Sequence, residues 1–172
     1  MDGDVTPNAG DDEAANGPDR IVEEGFENAI PWRLAASLVQ LRSQIAAVAP
    51  SRSKTSDGAI GDAEHASRSS DHNPWIVDGK FGIVTAIDIT DDPRGGFSAE
   101  RFSESIRSTR DPRVKYIIWN RRIANARSID GSPAWEWRAY GGKNPHTHHI
   151  HISVNTSKEL YDNTAQWDMK VL

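Results

Sequence analysis

The sequence predicts an α+β fold. Short β-branched runs, helical periodicities that do not alternate strictly with them, and the absence of an internal repeat lead to that class. At 172 residues, one compact domain is expected, because chains of this size bury roughly two-thirds of the surface their unfolded form exposes. From Pro31, the residues Leu34, Leu38, Leu41, Ile45 and Val48 recur at steps of four and three until Pro50. This spacing predicts an amphipathic helix with Pro31 at its first position. Residues 51–81 are rich in Ser, Gly, Asp and His and read as one long irregular connection, a feature that is often functional. GIVTAIDI, residues 82–89, reads as a single buried strand. The DDPRGG segment then turns the chain into a second helix over 98–108, with Ser98 as its cap and Phe102 and Ile106 facing inward. VKYIIWN, residues 114–120, is a second strand. After a turn-rich stretch containing DGSP, the aromatic residues Trp135, Trp137 and Tyr140 are expected to serve as packing. GGKNP leads into HTHHIHISV, whose second half alternates like a strand.

Composition narrows the chemistry. There is no cysteine, so disulfide scaffolds, thiolate zinc fingers, iron–sulfur sites and Cys nucleophiles are excluded, and His and carboxylate remain as the strong metal ligands. Four of the six histidines lie between His146 and His151. Charge is uneven: residues 1–29 carry nine acids against Arg20, a net of −8, so the remaining chain carries +3 of the overall −5. Residues 1–29 are expected to be a disordered acidic segment and 30–172 the functional domain. No run approaches the roughly 20 apolar residues of a membrane span, and the first residues lack the basic start and apolar stretch of a secretory signal. Synthesis in the cytoplasm, with action elsewhere after release or delivery, is the expectation. The Arg-rich stretch 101–127 reads as a solvated face with no nucleic-acid motif, and a monomer is expected.

In an extended strand alternate side chains share a face, so His149, His151 and Ser153 should point one way and Ile150, Ile152 and Val154 into the core. His148 falls on the Ile side and is expected to support or pack, while His146 arrives from the adjoining loop. A catalytic zinc site typically uses three protein ligands and leaves a position for water. His149 or His151 can supply one. His72, in the SSDHNP segment, and Asp88, on a buried strand where a carboxylate must be paired or metal-bound, are the natural sources of the others. Asp71, Asp91 and Asp92 are the competing carboxylates, and His65 reads as a structural or solvated histidine.

These residues resemble a known family, the zinc peptidases of the D-alanyl-D-alanine peptidase and murein endopeptidase type, which share their fold with the hedgehog signalling domain. Ser70, Asp71 and His72 look like its Ser-x-His element. Val84 to Asp88 look like its Gly-x-Ala-x-Asp strand, with Val84 in place of Gly, and His149, Ile150 and His151 look like its His-x-His strand. His146 matches a further histidine found in some members. The interval between His72 and Asp88 is longer than is usual in the family, and no Glu lies near His151, where some members place a general base. The resemblance covers roughly residues 30–155. It implies a small central antiparallel sheet with flanking helices and long loops, zinc held by His72, Asp88 and His151, and catalytic roles for His149 and His146. By this reading zinc activates a water, His149 takes its proton and His146 stabilises the oxyanion. Arg68 is placed to hold a substrate carboxylate and Ser70 to meet the substrate or shape the loop. The implied activity is hydrolysis of peptide bonds in peptidoglycan stem peptides or cross-links, as in a phage-type lysin. The alternatives are a zinc-stabilised binding module of the same fold and, more remotely, a metal-dependent phosphoesterase. No nucleic-acid or membrane partner is implied.

Overall fold

The computed structural model describes residues 31–60 and 70–169. The expectations for the acidic segment 1–29, His65 and Arg68 lie outside the described residues. The chain runs β1 (Trp32–Leu34), α1 (Ala36–Val48), β2 (Ile76–Asp78), β3 (Phe81–Val84), β4 (Ala86–Thr90), a short 3-10 turn (Pro93–Gly95), α2 (Ala99–Thr109), β5 (Val114–Trp119), β6 (Arg122–Asn125), β7 (Trp137–Ala139), β8 (His149–Val154) and α3 (Lys158–Tyr161). Strands β4-β8-β5-β6-β7 form an antiparallel sheet, and β1-β3-β2 form a smaller mixed one. The fold is therefore α+β.

Three expectations about the elements change. The first helix begins at Ala36, not at Pro31: Trp32 to Leu34 pair in parallel with Gly82 to Val84, and the Gly82 amide donates to the Pro31 carbonyl at 2.8 Å. A sheet partner thus claims the backbone that helical spacing alone assigned to a first turn. Leu38, Leu41 and Ile45 are buried as expected, but Val48, at the last position of the helix, is 57% exposed. GIVTAIDI is two strands in two sheets. At Thr85 the amide donates to the Asp71 carbonyl and the carbonyl accepts from the Val154 amide, so the chain passes from the small sheet to the large one. Finally, the 51–81 connection contains β2 and the start of β3, a hairpin turning at Gly79, whose φ of +63° is one that glycine adopts without strain. The extra length between His72 and Asp88 is absorbed in this hairpin.

The other elements follow the sequence. Ser98 caps α2, its Oγ accepting from the Arg101 amide at 3.3 Å, and Phe102 and Ile106 are buried. On one face of the large sheet Ile87, Ile89, Ile117, Ile150, Ile152 and Val154 join Leu38, Leu41, Ile45, Phe102 and Ile106 in a single core, with Trp135 in it and Trp137 against it. Each such aliphatic contributes about 1.5–3 kcal/mol by leaving water. No helix among the described residues is long and apolar enough to cross a membrane.

Candidate metal centre

The opposite face of the sheet carries the chemistry. Asp88 on β4 pairs in register with His151 on β8, and Thr90 with His149. Two-residue periodicity then sends Asp88, His149 and His151 to the side away from Ile87, Ile150 and Ile152. His72 enters from a turn that closes before β2. There the Ser70 Oγ accepts from the His72 amide at 3.2 Å, and the Ser70 carbonyl accepts from the Asn73 amide at 3.0 Å. His146 comes from the loop before β8, which is tied to the β5–β6 turn by bonds from the Asn120 amide to the His146 carbonyl (2.9 Å) and from the Arg121 amide to the Pro145 carbonyl (2.8 Å). His146 has φ +50°, a left-handed conformation that costs a non-glycine residue about 1–2 kcal/mol.

The resulting cluster is deeply buried: His72, His146 and His151 are inaccessible, and His149, at 8% exposure, is the imidazole nearest solvent. His72 Nε2 lies 3.1 Å from His151 Nδ1, His151 Nδ1 lies 3.1 Å from Asp88 Oδ1, and His72 Nε2 lies 3.5 Å from Asp88 Oδ1. Four ligands at zinc bond lengths of about 2.0–2.1 Å in a tetrahedron stand about 3.3 Å apart, so these three atoms already have the separations of a coordination edge. The outer nitrogens support the same reading. His72 Nδ1 is 2.8 Å from the Ala59 carbonyl and His151 Nε2 is 2.9 Å from Ser153 Oγ. A carbonyl can only accept, so His72 carries its proton on Nδ1 and presents a bare Nε2 inward, whereas Ser153 Oγ can donate or accept and satisfies the outer His151 nitrogen in either tautomer. The His72 lone pair, the inner His151 nitrogen and the Asp88 carboxylate thus meet at one point, where either a proton on His151 Nδ1 or a metal cation satisfies them. The residues fit a metal, and the cluster can bind one.

Electrostatics agree with an ionised Asp88. Burial works against its charge, but the neighbouring His72 and His149 and the hydrogen bond from His151 outweigh burial and hold its carboxyl well below the ordinary carboxylate range. His146 moves the other way: burial, only partly offset by the Asp88 charge, lowers it to about 4, so this ring is neutral at pH 7. Its Nδ1 lies 2.8 Å from the Asn144 carbonyl and therefore holds the proton, leaving Nε2 as a bare acceptor. Stabilising an oxyanion, the role the family resemblance implies for it, needs a donor at that atom.

Four of the five proposed ligand or catalytic positions, His72, Asp88, His149 and His151, meet on one face, and His146 completes the group, with its ring centroid 4.9 Å from that of His149 and 5.6 Å from that of His151. Of the competing carboxylates, Asp71 is engaged by Lys115 Nζ at 3.0 and 2.9 Å, Asp91 accepts from the Ala99 amide at 2.7 Å, and Asp92 accepts from the Ser53 and Gly95 amides. Ser70, offered for substrate contact, is fully buried and shapes the His72 turn through its hydroxyl. His148, expected on the packing side, is instead exposed, because the strand starts at His149; its carbonyl accepts from the Asp91 amide.

Three roles at the site escaped the sequence reading, which had named Tyr140 for packing alone. Tyr116 stacks on the His151 ring (5.4 Å, 14°), Tyr140 meets His146 edge-on (5.4 Å, 74°), and Lys115 anchors the turn that carries His72. Alternation along VKYIIWN could have placed Tyr116 opposite Ile117, whereas nothing local links Lys115 to Asp71, 44 residues away. No family model, curated protein or solved structure matches this chain.

Proposed function

We propose that the chain is a zinc peptidase of the hedgehog/DD-peptidase type, hydrolysing peptide bonds in the stem peptides or cross-links of bacterial peptidoglycan. The observation that carries this reading is the convergence of His72 Nε2, Asp88 Oδ1 and His151 Nδ1 at 3.1–3.5 Å, with two further buried imidazoles beside them. His72, Asp88 and His151 would hold the ion. When bound, zinc supplies Lewis acidity, polarising a carbonyl and bringing water towards a pKa of about 7. His149 is the proton acceptor: it is the ring nearest solvent, and its Nε2 stands 3.5 Å from Asp88 Oδ2, which stabilises the imidazolium it becomes. His146, neutral at pH 7 and with a bare Nε2, can accept a hydrogen bond beside His149 but is too weak a base to keep that proton. Tyr116 and Ser153 hold the His151 ring in place, and Lys115 holds the His72 turn through Asp71.

Three imidazole and carboxylate ligands, one fewer than the four that closed structural zinc sites use, are the set that hydrolytic zinc sites use. The extra imidazoles speak against a purely structural binding module, which has no use for them. The substrate class and the phage-lysin setting rest on the motif resemblance. Purified protein incubated with isolated murein should release new amino groups. A chelator should stop the release and added zinc restore it. Zinc binding without amine release would favour the binding module, and a His151→Ala protein that keeps full zinc affinity would overturn the ligand set.

A further inference from the structure

The five residues of the cluster form two triads. His72, Asp88 and His151 are one; Asp88, His146 and His149 are the other, with ligand-type atoms again within 4.8 Å of one another. Asp88 belongs to both and divides its oxygens between them. Its Oδ1 lies 3.1 Å from His151 Nδ1 and 3.5 Å from His72 Nε2, while its Oδ2 lies 3.5 Å from His149 Nε2. A separate observation comes from His146. Its Nε2 is buried with no hydrogen-bond partner among the described residues, although its Nδ1 is satisfied by the Asn144 carbonyl. Leaving a buried acceptor unmet is unfavourable, and the backbone that presents it is itself in the left-handed region. The loop therefore accepts two costs to aim a bare lone pair at the cluster.

The geometry points to a second zinc site made by His146 Nε2, His149 and Asp88 Oδ2, weaker than the first, whose occupation by excess zinc arrests hydrolysis by engaging His149, the imidazole that takes the water proton. The arrest rests on the peptidase reading above; the site itself does not. Imidazole and carboxylate are zinc ligands, and a carboxylate joining two cations about 3.5–4 Å apart is an ordinary arrangement in two-metal sites. The second site is the weaker one because Asp88 must share its charge between two dications that repel each other.

Zinc chloride titrated into chelator-stripped full-length protein, in competition with a chromophoric chelator, counts the sites. The wild-type protein should take up two equivalents, the second at least about tenfold weaker than the first. His146→Ala should take up one, with the first affinity retained. If circular dichroism shows His146→Ala to be unfolded, His146→Gln must give the single equivalent. Amine release from murein should rise through the first equivalent and fall through the second. One equivalent at saturation in the wild type overturns the second site, as do two equivalents in a folded His146 variant. Release that stays level or climbs through the second equivalent overturns the arrest. If two equivalents bind and no amine appears at any ratio, the peptidase reading and the arrest fall while the site stands. If one binds and amines appear, the site falls and the peptidase stands.

Discussion

On one face of the five-stranded sheet, Ile87, Ile89, Ile117, Ile150, Ile152 and Val154 close against the two long helices in a dry core; on the other, Asp88, His149, His151 and Ser153 are buried beside His72 and His146. The strands are the same and the residues alternate one by one, yet the two faces satisfy burial by different physics. The aliphatic face gains free energy from each group removed from water and tolerates any filling of similar shape. The polar face loses hydration on every group it buries, and regains it only if each lone pair and charge meets a partner. Strong packing on the first face supports an otherwise unfavourable concentration of lone pairs on the second.

Four experiments test this division, in decreasing order of expected effect. Asp88→Asn removes the one anion both triads share. Zinc affinity should fall beyond the roughly 10–100-fold that loss of a merely supporting residue costs, and amine release should vanish while far-ultraviolet circular dichroism stays unchanged. Ile152→Ala, one residue from His151 but on the other face, should do the reverse, costing about 2–5 kcal/mol in denaturant unfolding while the folded fraction binds zinc with unaltered affinity. Loss of zinc affinity in that variant would show that the faces are not independent.

The third experiment is the pH dependence of the metal-free protein. The His146 pKa is about 4 when folded, against an ordinary 6.5, so the unfolded chain takes up the proton first as pH falls. The stability gained by keeping this ring neutral is complete above about pH 6.5 and is lost between there and about pH 4, a loss of about 3 kcal/mol. Asp88, held below its ordinary range, contributes stability above that range and adds its own loss only at lower pH. His146→Gln should flatten the pH 6.5–4 portion of the urea-midpoint profile and leave the acid limb. The smallest effect is expected from Lys115→Met, which removes the ammonium 2.9–3.0 Å from the buried Asp71 carboxylate and should cost about 1–3 kcal/mol with weaker zinc binding. Adding Asp71→Asn should recover much of the stability, since the buried charge that Lys115 balanced is then gone.

Legibility differed between the two faces for the same reason. Alternation along HIHISV announces which side chains are dry and which are polar, because the strand period is two and needs no partner to be recognised. Ser98 capping α2 and the burial of Phe102 and Ile106 were equally local facts. What failed were boundaries that depend on a distant strand. Pro31 to Leu34 looked helical because the β3 partner that recruits Trp32 to Leu34 lies some fifty residues on, at Gly82 to Val84. GIVTAIDI looked like one strand because its division at Thr85 is made by Asp71 and Val154. At the site, His72, Asp88, His149 and His151 could be named as donors from motif and spacing. The exclusion of Asp71 depended on Lys115, and the burial of Ser70 on the turn it closes.

The sequence by itself determined the α+β class, the supply of imidazole and carboxylate in place of thiolate, and the face on which His149 and His151 stand, since residue type and strand period are local properties. Only the tertiary structure decided that Asp88 and not Asp71, Asp91 or Asp92 joins the histidines, which nitrogen of each ring faces inward, and that one carboxylate serves two triads. Those outcomes follow from β4 pairing with β8 and from the carbonyls of Ala59 and Asn144 claiming the outer protons of His72 and His146, contacts between segments that are far apart or pinned by distant strands, whose approach no local pattern encodes.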